Sequence, residues 1–451
     1  MKEITLRDVQ RAGVEVTLKK GAQLLDPVSG IIRSIMPNWI EQGAALIQVF
    51  GAVACQANPI SQAPQINRTG GASIYRENAI AATIGESVER YCSAYYEPEN
   101  LIFASYKEVE SDAVHPEQFG LYSERQYRTP GFPFVPFTTS ARINWTWGYS
   151  LQQKRRVLVP ACLTYLPYRS DERHKEVSIT TTTSTGLACG NTLEEAILSG
   201  IGEVVERDAL TCFWLNRLPL PQVEVDKASP IYDVFKEKLD LAGLRYHLCD
   251  ATTDLGIPVF FTLLVGDSNV GRMVNAGSQA NLSAHNAALK SMVEAAHGRP
   301  YVRYIIQQNP NWKYSPDFST VRSFQDHAAF YTRAPQHFDA LDFVTKAGPS
   351  RLLSEVKDLS TGSVRGDIEL CLSKLADKGI DLIVVDLTTP DIEEVGLKVA
   401  RVIAPGLQLI HGDHRYRFQG CSRLYKVPES LGYRSGPVDE AELNPYPHPL
   451  P

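Results

Sequence analysis

Two copies of one hexapeptide pattern carry the chemistry this chain offers: Gly85-Glu86-Ser87-Val88-Glu89-Arg90 and Gly202-Glu203-Val204-Val205-Glu206-Arg207. Each closes a stretch of helical periodicity, residues 80–91 and 192–210. In the second copy Glu195, Ser199, Glu203 and Glu206 recur at i, i+4, i+8 and i+11, which places them on one stripe. Leu193, Ile197, Ile201 and Val204 form the opposite stripe. The first copy repeats this, with Glu86 and Glu89 opposed to Ile80, Ile84 and Val88. A single such helix reads as a solvated acidic face. Two copies, each with an Arg beside the second Glu, point further. Like charges crowded at this spacing cost a helix a few tenths of a kcal/mol unless something neutralises them. Mg2+ takes oxygen ligands, typically carboxylates shared with substrate phosphates, and Arg supplies a fork that matches phosphate. Four carboxylates repel a nucleotide held directly. A metal between them and a polyphosphate resolves the conflict.

The elements that position these groups follow from the flanking sequence. Gly70-Gly71 precedes the first acidic helix, and Val177–Ser184, rich in Thr, reads as a strand running into Gly186-Leu187-Ala188-Cys189-Gly190-Asn191. Strand, glycine turn and helix is a layout that brings backbone N–H groups up to a phosphate, though the glycines serve a plain tight turn equally well. Thr192 with Glu195 fits a capping box. A third, degenerate copy spans residues 287–299, with Gly277-Ser278 before it and Glu294 followed by Arg299. Residues 157–168, 246–249, 257–265 and 383–386 read as further strands, and residues 107–135 as a loop-rich connection with little core. Repeated strand–turn–acidic-helix units predict a mixed α/β fold built by internal duplication.

Composition narrows the class. The chain has 451 residues, 43% hydrophobic and 21% charged, with a formal net charge of −6. No basic stripe supports nucleic-acid binding. No signal peptide or run of 18 apolar residues is present, so no membrane span is expected. Eight scattered cysteines without a Cys-x-x-Cys pair read as buried thiols in a reducing compartment, which predicts a cytoplasmic protein. His411 and His414, near Asp413, lack a third ligand at metal-site spacing and read as a surface loop. Cys189 has no neighbouring His to activate it and reads as packing, as do Tyr95-Tyr96, Trp145 and Trp147. The C-terminal segment Asn444-Pro445-Tyr446-Pro447-His448-Pro449-Leu450-Pro451 places proline at every second position. Its alternatives are a disordered tail, a peptide ligand for another domain, or a stiff polyproline rod whose final carboxylate reaches into a cleft.

The residues resemble those of the YcaO family, in particular its azoline-forming peptide cyclodehydratases. The matching pieces are the Glu86-x-x-Glu89-Arg90 helix, Ser184-Thr185-Gly186-Leu187-Ala188-x-Gly190, Glu195-Ala196, and Glu203-x-x-Glu206-Arg207-Asp208. Val385–Asp391, Ser422-Arg423-Leu424-Tyr425 and the Pro447-x-Pro449-x-Pro451 ending match too, so the resemblance runs from about residue 25 to the end. It implies a YcaO-type fold around an ATP/Mg2+ site, divided as a lead-in (1–65), a catalytic domain (66–435) and a proline-rich tail (436–451) entering the active site. It implies that Glu86, Glu89, Glu203 and Glu206 hold Mg2+, and that Arg90, Ser184, Asn191, Glu195, Arg207 and Arg299 contact nucleotide or phosphate. Pro447, Pro449 and Pro451 would shape the cyclisation cleft.

The implied reaction is attack of a Cys, Ser or Thr side chain of a ribosomally made precursor peptide on the preceding amide carbonyl, with ATP phosphorylating the oxygen. The implied partners are the precursor peptide, a separate leader-binding protein of the E1-like or ThiF-like type, a flavin-dependent dehydrogenase and a second copy of the chain. The leader-binding partner is expected as a separate protein because the chain begins close to the catalytic domain. Backbone thioamidation, a nucleotide-binding scaffold and a Mg2+-dependent phosphohydrolase are the competing readings. The proline ending counts against the first, the intact acidic pairs against the second, and the third leaves the tail unexplained.

Overall fold

The computed structural model describes residues 3–55, 67–346 and 350–451. Three sheets form among the described residues. The first is antiparallel: β1 (Ile32–Pro37), β2 (Gln48–Ala54) and β3 (Arg68–Ser73) in that order. The second contains β4 (Ile102–Ser105), β5 (Arg142–Ser150), β6 (Arg155–Pro160), β7 (Leu187–Gly190), β13 (Ile383–Asp386) and β14 (Lys398–Ile403). Its order is β4-β5-β13-β14-β7, with β6 pairing β5. The third comprises β8 (Gln222–Glu224), β9 (Leu244–Asp250), β10 (Val259–Ser268), β11 (Gly271–Ala280) and β12 (Ser350–Leu352), ordered β11-β10-β9-β8-β12. β3, β7 and β11 are therefore all edge strands.

Each of these edges leads into a long helix: α2 (Arg76–Ser93) after β3, α3 (Leu193–Asn216) after β7, and α4 (Ala284–Gln308) after β11. The expected duplication is thus three strand–helix units. The short helix α1 (Val14–Gly21) packs on α2. The glycines that begin each unit allow very close approach. A Cβ on Gly71 would sit 2.7 Å from the Ala79 carbonyl oxygen, and one on Gly277 would sit 2.3 Å from that of Ser291. Only glycine lets helix backbone lie directly on strand backbone there.

α3 runs through the middle of the molecule. Ile197, Ile201, Val205, Leu210 and Phe213 are buried against β10, β11, β14 and the helices α5 (Phe324–Arg333), α6 (Val364–Ala376) and α7 (Ser422–Ser430). Trp145 is fully buried in β5 and donates its indole N–H to the Ala104 carbonyl at 2.9 Å.

Several expectations change. Val177–Ser184 joins no sheet among the described residues: its backbone meets Val135 and Arg142 through single hydrogen bonds, which form no ladder for strand propensity to act on. The 157–168 strand ends at Pro160, and a 3-10 turn follows. Gly70-Gly71 lies within β3. Residues 107–135 do have a core: Tyr122 stacks on Phe134 and Phe418, with ring centroids 5.1 and 5.2 Å away. The boundary expected at 65/66 lies outside the described residues, and β1 and β2 share a sheet with β3 across it.

The proline tail is buried, which removes the disordered alternative. Pro447, His448, Pro449 and Leu450 are all buried. Asn444 anchors it: its backbone N–H donates to Leu215 O and its side chain to Trp214 O, at 2.7 and 3.1 Å. Asn444 Oδ1 accepts from Arg217 Nε, and its carbonyl accepts from Arg417. Proline lacks an N–H, so the segment cannot pair as a strand. Its carbonyls take side-chain donors instead, from Trp214 at Tyr446 and from Tyr331 at Pro447, both at 2.9 Å. Replacing Asn444 by Ala removes three side-chain hydrogen bonds from a buried point, those with Trp214 O, Arg217 Nε and Tyr446 N. Asn444→Ala is expected to cost roughly 2–4 kcal/mol and to make the tail a carboxypeptidase substrate. An unchanged urea midpoint would show that the anchor is elsewhere.

Candidate active site

The three units put their carboxylates to the same use. Glu86 accepts from the backbone N–H of Gly70 at 2.8 Å, Glu203 from Gly186 at 3.0 Å, and Glu294 from Ser278 at 2.7 Å. The second Glu of each acidic pair reaches the next unit. Glu89 accepts from Cys189 N on β7 at 2.9 Å, and Glu206 accepts from Ser278 Oγ at 2.6 Å and Ala280 N at 3.3 Å on β11. An edge strand leaves alternate N–H groups without a ladder partner. Here carboxylates take that place, and the three sheets are drawn together around them. In the third unit the position three after Glu294 is His297. A Cβ on Gly70 would lie 3.8 Å from His297 Nε2, so α4 returns to the first unit and closes the ring.

The electrostatics show five carboxylates within mutual reach. Burial, with the charges of Glu86 and Glu203, pushes Glu89 up to about 8. Burial and Glu206 push Glu294 up to about 7. Burial raises Glu203 as well, with Glu206 adding to it. Arg90 lies 3.5 Å from Glu86, and Arg207 lies 3.7 Å from both Glu203 and Glu206. Burial works against the Arg207 charge, yet Glu206, Glu203 and Glu294 outweigh it and hold the guanidinium protonated. Burial lowers His297 to about 4, so it stands beside this cluster as a neutral imidazole. The side chains of Glu86 and Glu203 keep 33% and 23% of their surface open against 6% for Glu206, so an incoming cation meets the first two from the solvent side.

Around this centre the expected nucleotide contacts divide. Asn191 donates to Thr17 Oγ1 at 2.7 Å, while its own Oδ1 is buried without a partner. Glu195 accepts from Asn191 N and Ala12 N at 2.8 and 2.7 Å. The capping box is therefore only half made: Thr192 Oγ1 accepts from Glu195 N, but the Glu195 carboxylate passes over to the N-terminal segment. Ser184 opens the turn before Gly186, its carbonyl accepting from Leu187 N.

Arg299 is not brought to the carboxylates. It is buried in an ion pair with Glu41 at 2.8 Å and donates to the Gly266 and Asp267 carbonyls. Gly298 occupies the place that Arg90 and Arg207 hold in their units, and one residue further turns a helical side chain by about 100°. His411 and His414 are likewise not on a surface loop; both are buried, because the tail covers them. Cys189 is half-buried, its thiol pushed far up by burial and by Glu89, as packing requires.

The acidic-pair motif left out Glu294 as a fifth carboxylate, together with Lys290 and Arg401. Lys290 is lowered by burial and by Arg11, although Glu206 opposes this. Arg401 interrupts an apolar strand, Val399-Ala400-Arg401-Val402-Ile403, a signal legible in the sequence. Burial lowers it to about 10 despite Glu203; it donates to the Leu163 and Thr183 carbonyls and leaves Nη1 without a partner. Beside it opens a recess lined by Thr183, Thr185, Val204 and Gln408. Asp208, next in the motif, is structural: it receives two bonds from Arg423, at 2.8 and 2.7 Å, and one from Gln408 N.

These residues fit Mg2+ and a polyphosphate. The carboxylates are crowded and raised, and Arg401, within electrostatic reach of Glu203, has a buried Nη1 without a partner among the described residues. The family model for YcaO cyclodehydratases, described as ATP- and Mg2+-binding, matches residues 70–408. The chain belongs to the YcaO family. An uncharacterized protein of Methanothermobacter thermautotrophicus is 31% identical over 379 residues, which cover 81% of this chain and 87% of that protein. Among solved structures, a heterocyclase in complex with substrate and cofactor is similar over all of this chain, with TM-score 0.79 and 24% identity. This chain spans 59% of that one. A YcaO protein from Methanopyrus kandleri bound with AMPPCP and Mg2+ is similar over 90% of this chain and 95% of its own, with TM-score 0.62 and 18% identity. These two likenesses define the fold.

A carboxyl held above its ordinary value of 4.5 gives stability that is complete below that value and lost as pH rises through the folded value. For Glu89 and Glu294 the window runs from 4.5 to about 8. The metal-free protein is expected to lose several degrees of melting temperature between pH 5.5 and 8.5, with Mg2+ restoring it at the upper end only. Glu89→Gln, which keeps an acceptor for Cys189 N, should stabilise the metal-free protein at pH 8.5 by on the order of 1 kcal/mol. Calorimetry across this range checks both; a flat profile, or Mg2+ acting equally at both ends, would contradict the assignment.

Proposed function

We propose that the chain catalyses ATP-dependent cyclodehydration of Cys, Ser or Thr residues in a ribosomally made precursor peptide, giving thiazolines or oxazolines. One observation carries the reading: the two acidic pairs converge, with Glu294, next to a buried proline tail. Glu86, Glu89, Glu203 and Glu206 are the proposed Mg2+ ligands. Arg90 and Arg207 are proposed to meet phosphate oxygens, and Ser184, Asn191 and Glu195 the nucleotide. Arg299 takes no part, since Glu41 occupies it.

The substrate side chain's sulfur or oxygen gives up its S–H or O–H proton as it bonds to the preceding carbonyl carbon. ATP, as co-substrate, supplies the phosphoryl group that makes the former carbonyl oxygen leave as phosphate. The amide nitrogen gives up its proton as the C=N bond forms, and the products are the azoline peptide, ADP and phosphate. The tail shapes the wall of this cleft through Pro447 and Pro449, and the carboxylate of Pro451 is the proposed proton acceptor. A separate leader-binding protein is proposed to deliver the peptide, and a flavin-dependent dehydrogenase to oxidise the rings afterwards.

Glu206→Gln is expected to lower ATP-dependent loss of water from a precursor peptide by about 100-fold or more, with the fold retained because Gln can accept from Ala280 N through its oxygen and donate through its amide N–H to Ser278 Oγ. Mass spectrometry of the peptide checks this; a normal rate in that variant would sink the metal assignment. Deleting Pro451 should abolish ring formation while ATP binding persists. A thioamide product would instead support backbone thioamidation, and full ring formation after the deletion would take Pro451 out of the reaction.

A further inference from the structure

Apart from the acidic centre, the fold gathers His327 from α5, His411 from the segment after β14, and His448 from the proline tail. Ligand-capable atoms of all three lie within 4.8 Å of one another. All are buried, at 0%, 2% and 2% exposure. The His327 and His448 rings stack at 3.8 Å, and His411 meets them edge-on at 5.4 and 4.9 Å.

Hydrogen bonding fixes which nitrogens carry protons. His327 Nδ1 lies 2.9 Å from the His448 carbonyl, and His448 Nε2 lies 2.8 Å from the His411 carbonyl. A carbonyl only accepts, so those nitrogens are the protonated ones. The lone pairs are then on His327 Nε2 and His448 Nδ1, both buried without a partner among the described residues, as are both nitrogens of His411. Buried polar atoms of a folded protein normally find partners, and several lone pairs facing one another repel. Backbone carbonyls holding the far nitrogens are the arrangement that orients metal-binding histidines. Burial, with the neighbouring imidazoles, holds His327 and His411 well below the ordinary range, and burial brings His448 to about 4, so all are neutral and able to ligate.

We propose that His327, His411 and His448 bind one zinc ion, which fastens the proline tail to the body of the protein. Nitrogen donors suit Zn2+ and not Mg2+. Zn–N bonds of about 2.1 Å need the ligand atoms ~3.4 Å apart, so the ion draws the three nitrogens together and tilts the stacked His327 and His448 rings out of parallel to bring both in-plane lone pairs onto it. Arg207 and Arg417 lie within electrostatic reach and oppose a cation, but Glu203 and Glu206 balance the first, and Arg417 turns to the Asn444 carbonyl. The site shares no ligand with the acidic centre and stands whichever reaction that centre performs.

Metal-stripped full-length protein titrated with Co2+ should bind one equivalent with the intense visible bands of a four-coordinate nitrogen site, displaced by Zn2+ and unaffected by excess Mg2+. X-ray absorption of the zinc form should count three imidazoles at about 2.0–2.1 Å. His411→Gln should weaken Co2+ binding at least 100-fold, and Glu86→Gln, at the far side of the acidic centre beside Arg90, should leave it unchanged. The proposal is overturned if the unaltered chain takes up no stoichiometric Co2+, if its spectrum is that of an oxygen-liganded ion, or if His411→Gln binds as tightly. The spectra of the unaltered chain decide the matter even where a variant fails to fold.

Discussion

Three sheet edges meet at one place, and glutamates satisfy the backbone donors those edges leave over. Gly70, Gly186, Cys189, Ser278 and Ala280 each donate to a carboxylate from one of three helices. An unpaired edge in the interior costs as much as any orphaned polar group. Carboxylates are the side chains able to accept from several such donors at once, and they bring negative charge with them. The device that joins the sheets therefore also makes the cluster acidic. Structure and chemistry here have a common cause.

The same centre explains why the surrounding residues are held so firmly. Asp208 and Arg423 lock the end of the acidic motif to α7, and Asp254 completes the group at 2.8 Å. Asn444 ties the tail to the C-terminal end of α3, two turns beyond Glu206. A site that concentrates like charge works against its own fold, and these buried anchors are what oppose it.

Much of this was legible in the sequence. The acidic helices announced themselves by period and repetition, and 383–386 by a short β-branched run that became β13. The family followed from motif order. What stayed illegible depended on distance or on a shift of one residue. Arg299 resembles Arg90 and Arg207 until α4 is built, when the offset turns it to Glu41. His411 found its companions 37 positions away, in the tail. Val177–Ser184 had strand-forming residues and no ladder to join. Arg401 and Lys290 were single charges among apolar residues, and their significance lies in what surrounds them.

The register of β7 against β14 carries one more implication. Val399 stands opposite Cys189, and that pairing aims the Cys189 N–H outward at Glu89, a hundred residues earlier. A slip by a single residue would turn that donor inward and leave Glu89 facing a side chain. The carboxylate cluster is thus a signature of correct assembly, since only a chain with all three sheets in phase brings its five members together. Contacts between such distant segments are also the slowest to form, so this cluster should be among the last native features to assemble on refolding.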